Sequence, residues 1–401
     1  MMSVSEAVQL ILSKAGALSS ETIQLPEAAG RILAEDIIAD TDLPPFDRAQ
    51  MDGYAVRAAD VATTPARLRI VGESAAGGGW HHEMKGGEAV RIMTGAPVPQ
   101  GADSVQQVEL TREMNGAGTV EILEPVQFGR SIVRRAAEIK AGATVLRAGE
   151  EINPQAIATL ASFGYARVNV GRQPRVAVMA TGSELVNVDQ KPARDQIRDS
   201  NNYTIEAYAK LAGGNVERVP LAGDDTELLK KQMAAALERC DMLITSGGVS
   251  MGVYDFTKTV FRELGAEIFF ERVALKPGKP TVFGKVGGKL IFGLPGNPVS
   301  VAVTFNLFAR TALRAMQGAT ERGLPEVTTV LERDVKAAPD RESYLPAVMR
   351  TGEDGSLLAA PLKWGGSSDF VSFARANGLI IVPAGGAFAA GDRAKCLRLP
   401  V

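Results

Sequence analysis

Two lysines, each followed by proline, stand in the stretch LKPGKPTVFGKVGGKLIFGLPGNPVS, Leu275 to Ser300. Proline fixes its own φ, carries no amide donor and pushes the preceding residue toward extended geometry, so Lys276 and Lys279 sit on a backbone with few alternatives. Cations on a stiff backbone suit a small anion held in a preset position. Carboxylates form a second pattern: Glu184 in TGSEL, Asp224 and Asp225 after VPLAG, and Asp255 in GGVSMGVYD each follow a β-like run. Converging on one rim, they could hold Mg²⁺, a hard cation that favours carboxylates, water and substrate phosphates. Gly247 and Gly248 could bring backbone amides close to a phosphate. Plainer readings stand beside these. Asp224, Asp225 and Asp255 precede helical sequence and could cap it, and Glu184 after Ser183 could simply be solvated.

Other polar residues divide in the same way. Asp52 before Gly53 in PPFDRAQMDGYAVR reads as a turn, with Met51 and Tyr54 as packing residues. Thr94, in the proline-stiffened RIMTGAPVPQGAD, could reach a ligand. Arg134 and Arg135 are either a solvated pair or phosphate clamps. His81 and His82 in GGGWHHEM lack further ligands at metal-site spacing and read as loop residues. Cys240 and Cys396 belong to no CxxC pair and read as reduced core thiols. Without a reactive cysteine or a Ser/His pairing, covalent acyl chemistry is not expected.

The elements that must position these residues follow from pattern. At 401 residues the chain is long enough for two or three domains. Forty-four basic residues against 46 acidic ones give a formal charge of −2, which supplies no global field for a nucleic acid. The opening MMSVSEAVQLILSKAG is apolar at helical spacing and lacks the basic leader of a signal peptide. No run of about 18 apolar residues suggests a membrane span. A cytoplasmic protein with no membrane partner is the expectation.

The pattern predicts an elongated N-terminal domain from 1–45 and 140–171, including a short helix around Glu27 to Leu33. An inserted β domain over 46–139 follows from RLRIVG, GEAVRIM, SVQQVEL and GTVEIL. From 172 to 318, buried-strand runs such as RVAVMA and DMLITS alternate with helical TELLKKQMAAALERC and DFTKTVFRELG, which predicts a parallel, doubly wound α/β layer. Short strands return over 319–401 as a small C-terminal β domain. The expected class is α/β plus β, and in such sheets ligands bind beyond the carboxyl ends of the strands.

Seven ordered motifs, MDGYAVR, RIMTGAPVP, TGSEL, SGGVSMGVYDFTK, LKPGKP, GLPGNPVS and GSSDFVSFARANG, resemble the molybdopterin molybdenumtransferase (MoeA) family, whose eukaryotic counterpart is the gephyrin E domain. The resemblance spans nearly the whole chain. It implies an elongated homodimer that inserts molybdenum from molybdate into adenylylated molybdopterin and releases AMP, with Mg²⁺ assisting. By motif it assigns catalytic roles to Asp52, Glu184, Asp224 and Asp255, the last three as metal carboxylates. It places Thr94, Glu138, Gly247, Gly248, Ser250, Lys276, Lys279, Pro295 and Pro298 against substrate, and Lys276, Ser300, Arg341 and Ser367 against molybdate. Two departures stand out. The chain reads RRAAEI where the family has Arg-Arg-Gly-Glu-Asp, and DRESYLPAV lacks the usual second arginine near Arg341. A molybdopterin adenylyltransferase and a non-enzymatic gephyrin-like scaffold are the alternative functions, and the adenylyltransferase that supplies the substrate is a possible contact.

Overall fold

The computed structural model describes residues 1–400 except 115–117, 222, 224, 249–255 and 364. Two compact units emerge: one comprises Met1–Glu35, Ala148–Ile157 and Arg167–Val401, the other Asp36–Arg147 and Ala158–Ala166. Among the described residues no helix is long and apolar enough to cross a membrane.

The first unit is organised by a six-stranded sheet. Its elements in chain order are β1 (Arg175–Ala180), α1 (Asn201–Leu211), β2 (Asn215–Arg218), α2 (Thr226–Arg239), β3 (Met242–Ser246), α3 (Phe256–Glu263), β4 (Glu267–Phe270), β5 (Val282–Val286), β6 (Lys289–Leu294) and α4 (Pro298–Thr304). Strand order is β2-β1-β3-β6-β5-β4. The first four strands are parallel, as the alternation of strand and helix predicts. The sheet is not parallel throughout, however. β5 runs antiparallel to both β6 and β4, because a tight Gly287–Gly288 turn returns the chain as a hairpin where a parallel neighbour would need a long crossover.

Residues alternate across β1. Val176 and Val178 face a core shared with α1, α4 and the N-terminal helix Val4–Lys14, while Ala177 and Met179 face a second core with α2 and α3. Helices therefore cover both faces, which explains the unbroken apolar strands. The N-terminal helix is fixed at its start by a reciprocal pair of bonds between Ser3 and Glu6.

The C-terminal strands Glu326–Leu331, Glu342–Thr351, Leu357–Pro361, Gly378–Val382 and Arg393–Arg398 pair in a closed ring. Leu275–Lys276 adds to this ring by pairing in parallel with Glu342 and Ser343. That pairing carries the LKPGKP segment out of the α/β layer and onto the C-terminal strands.

The expected helix at Glu27 to Leu33 does not form. Pro26 starts a single 3-10 turn over Leu25–Glu27, Gly30 takes φ +78°, and Ile32 and Leu33 instead bridge to Glu151 and Val170. Tertiary pairing overrides a weak local preference here.

The second unit is built on another six-stranded sheet, in the order Ser104–Gln107, Gly53–Val56, Glu88–Ile92, Ala66–Ser74, Thr119–Ile122, Thr111–Met114. Gly53 is not a turn residue. It opens a buried strand at a point where a Cβ would lie 1.9 Å from the carbonyl oxygen of Gln106, so the neighbouring backbone requires glycine. Tyr54 is buried as a packing residue. The His81–His82 segment is a loop in which Trp80 and His82 meet edge to face.

Candidate active site

A cavity of about 1970 Å³ opens in the first unit at the carboxyl ends of the parallel strands. Glu184 after β1, Gly247 and Gly248 after β3, and Pro295 and Pro298 after β6 all line it. Lys276, Lys279, Ser300, Arg341 and Ser367 join them. Residues nearly two hundred positions apart therefore share one wall, as the strand-end argument requires.

The LKPGKP loop is held from within: the Val273 amide donates to the Lys279 carbonyl (3.0 Å) and the Thr281 hydroxyl donates to the Gly278 carbonyl (2.7 Å). Lys276 is exposed and Lys279 half-buried. Because Lys276 pairs in register with Ser343, it stands two residues out of register from Arg341 across the parallel ladder. The guanidinium Nε of Arg341 contacts Asp340 at 3.2 Å. That bond holds the Asp340 carboxyl below the usual range, and Lys279 adds attraction. Arg198 is a cation that the motifs did not single out; it also lines the cavity, with Nε donating to the Gln190 carbonyl.

Gly247 and Gly248 both have positive φ, +89° and +62°, and a Cβ on either would come within 2.4 Å of an oxygen of Thr181 or Thr257. Only glycine fits the turn. Its amides are not both available to a phosphate: the Gly247 N–H donates to the Leu294 carbonyl (3.1 Å). Two buried polar atoms in the wall, Ser246 Oγ and Asn201 Oδ1, have no hydrogen-bond partner among the described residues. Unused bonding capacity of this kind is costly unless a ligand or water meets it.

Ser367 belongs to a short loop pinned at both ends. The Asp369 carboxylate accepts from the amides of Gly365 (2.8 Å) and Ser372 (3.0 Å), which hold it below the usual carboxylate range. The Ser367 carbonyl accepts from the Val299 amide (3.0 Å), and its hydroxyl accepts from Asn297 Nδ2 (2.7 Å). Ser300 is buried on the following turn of α4. Asn297 lies in the PGNP run but its side chain carried no separate signal, since its partner is 70 positions away.

The carboxylate rim is partly described. Glu184 is exposed on the cavity wall with its carboxylate folded over Gly182. Asp224, Ser250 and Asp255 lie outside the described residues. Among the described residues no group of three potential metal ligands occurs. Asp225 takes the plainer role: it caps α2 by accepting from the Leu228 amide (2.9 Å).

The remaining candidates belong to the second unit. Asp52 accepts from both the amide and the hydroxyl of Thr94. Glu138 contacts Arg48 at 3.4 Å. Arg134 and Arg135 pair with Asp47 (2.6 Å) and Asp42 (2.5 Å), so both arginines already have carboxylate partners. In the variant run RRAAEI, Ala136 takes φ +61°, a conformation that glycine adopts at lower cost. Both cysteines are buried, burial raises their thiol pKa values, and neither lines the cavity.

Comparison with known proteins matches three family models along the chain: the MoeA N-terminal region (domain I and II) over residues 2–164, the probable molybdopterin binding domain over 177–315, and the MoeA C-terminal region (domain IV) over 328–399. A molybdopterin molybdenumtransferase of Staphylococcus aureus (strain COL) is 36% identical over 388 residues, covering 95% of this chain and 91% of that one. Its counterpart in Bacillus subtilis (strain 168) is 35% identical over 389 residues, covering 95% and 90%. Among solved structures, two molybdopterin biosynthesis MoeA proteins of Pyrococcus horikoshii superpose over 100% of both chains, with TM-scores of 0.86 at 28% identity and 0.81 at 31% identity.

Proposed function

Since this chain belongs to the MoeA family of molybdopterin molybdenumtransferases, we propose that it inserts molybdenum from molybdate into adenylylated molybdopterin and releases AMP. The observation that carries this reading is the single cavity in which Lys276, Lys279, Arg341 and Ser367 meet the glycine turn after β3 and the Glu184 carboxylate. A tetrahedral dianion needs cations and donors in place before it arrives, and the internally bonded LKPGKP loop and the pinned Ser367 loop supply them with little reorganisation. No protein nucleophile is needed, and the buried thiols leave the sulfur chemistry to the substrate.

Glu184 suits a resident Mg²⁺, which typically takes one or two protein carboxylates and completes its shell with water and phosphate oxygens. Bound there, the ion would neutralise charge on the phosphoanhydride that is cleaved as AMP leaves. Lys276, Arg341 and Ser367 orient molybdate, and Gly248 and Ser246 offer donors to the rest of the substrate. A cytoplasmic homodimer, in which Asp52 and Thr94 of one chain complete the site of the other, belongs to the same reading and rests on the family resemblance. Mixing Asp52→Ala chains with Lys276→Ala chains should then restore part of the activity, once subunit exchange has been demonstrated.

The deciding experiment is AMP release from adenylylated molybdopterin with and without molybdate. Molybdate-dependent release supports the proposal. Net synthesis of adenylylated molybdopterin would indicate an adenylyltransferase, and inactivity of the folded protein would indicate a scaffold.

A further inference from the structure

Asn297 occupies the N-cap of α4 but does not behave as a cap. Asparagine is favoured there because its side-chain oxygen accepts from an amide in the first helical turn. In this chain Asn297 makes no such bond, and Pro298 follows at the first helical position. The Val299 amide, a natural target for that oxygen, donates instead to the Ser367 carbonyl (3.0 Å). The Asn297 amide nitrogen turns outward and donates to Ser367 Oγ (2.7 Å). Helix start and loop are thus joined by two bonds to one serine, and both Asn297 and Ser367 line the cavity.

The side-chain bond runs in one direction. A carboxamide nitrogen can only donate, so Ser367 Oγ must accept. One lone pair of the hydroxyl is thereby committed, and its hydrogen is left to find an acceptor elsewhere. Among the described residues it has none. We propose that Asn297 is a positioning residue that fixes the Ser367 hydroxyl as a hydrogen-bond donor into the cavity, so that this corner receives an oxygen of an oxyanion. The inference rests on the molybdate reading of the site and adds to it the residue that sets the direction of the bond. Without Asn297, the hydroxyl is free to rotate and present lone pairs to the anion.

A double-mutant cycle tests this, with molybdate itself as the probe. Direct molybdate binding by calorimetry, together with kcat and KM for molybdate, is measured for wild type, Asn297→Ala, Ser367→Ala and the double variant, with the melting temperature of each. Asn297→Ala should raise Kd and KM about three- to tenfold, the worth of one neutral hydrogen bond, with kcat nearly unchanged. In the Ser367→Ala background the same change should have no further effect. Asn297→Asp retains a good helix-capping residue but reverses the bond, because a carboxylate accepts the serine proton; its Kd should rise at least as much as that of the alanine variant. An unchanged Kd in Asn297→Ala or Asn297→Asp, or an equal rise in both backgrounds, overturns the inference while leaving Ser367 as a molybdate residue. Wild-type affinity in Ser367→Ala would instead remove the molybdate assignment of Ser367, and the role of Asn297 with it.

Discussion

The carboxylate of Asp52 accepts two hydrogen bonds from Thr94, 2.7 Å from its backbone amide and 2.8 Å from its hydroxyl. These bonds, the amide's being the stronger influence, hold the Asp52 carboxyl below its usual range and keep it ionised at neutral pH. Asp52 and Thr94 are thus one unit rather than two separate candidates. Asp52→Ala should leave the fold intact and abolish molybdenum insertion. Purified variant with wild-type melting and full activity would return Asp52 to a purely structural role in tethering the Thr94 loop.

The cations and the carboxylate of the cavity should separate kinetically. A charge-assisted hydrogen bond to the dianion contributes roughly 1.5–3 kcal/mol, so Lys276→Ala or Arg341→Ala should raise the molybdate requirement by about one to two powers of ten. Excess molybdate should rescue both. Glu184→Ala should raise the Mg²⁺ requirement for AMP release and stay impaired at any molybdate concentration. If molybdate rescues Glu184→Ala and fails to rescue Arg341→Ala, the roles proposed for these two residues are exchanged.

Gly53 tests the close approach in the second unit. Its added methyl would fall 1.9 Å from the Gln106 carbonyl oxygen and 2.9 Å from the carbonyl carbon, so the strands would have to part. Gly53→Ala should destabilise the protein by about 1–3 kcal/mol, toward the upper end because the obstacle is backbone. Thermal denaturation reads this directly, and an unchanged melting temperature would mean that the strand pair yields freely.

At the opposite end of the parallel strands, Asp241 accepts from Arg172 (2.9 and 3.1 Å) and from the backbone and side chain of Arg175. Burial pushes its carboxyl up, but the hydrogen bonds from the two arginines outweigh burial and hold it well below the usual carboxylate range. A group depressed in the folded state stabilises fully above its unfolded pKa, about 3.9 for Asp, and loses that stabilisation as pH falls toward the folded value. Asp241→Asn should therefore cost roughly 1.5–3 kcal/mol at neutral pH, and the gap from wild type should narrow below about pH 4. A gap that stays constant down to pH 2 would show that the charge of Asp241 contributes nothing.

The sequence by itself determined the local features: the apolar runs that become β1, β3 and β6, the amphipathic α2 and α3, and the glycines and prolines at strand ends that line the cavity. These depend on residues near one another in the chain, so spacing exposes them. It also carried enough ordered motifs to indicate the family. Tertiary structure decided what depends on pairing between distant segments. Lys276 stands near Arg341 because Leu275–Lys276 pairs with Glu342–Ser343. Ser367 accepts a hydrogen bond from Asn297, and Thr94 holds Asp52, across gaps of 70 and 42 residues. The glycine of the Asp52–Gly53 pair, a turn by local rule, is instead demanded by the backbone of Gln106. The expected helix near Glu27 gives way to bridges with Glu151 and Val170. In each case the deciding energy is a hydrogen bond or a steric contact whose two halves are unrelated in sequence, and no local spacing encodes their meeting.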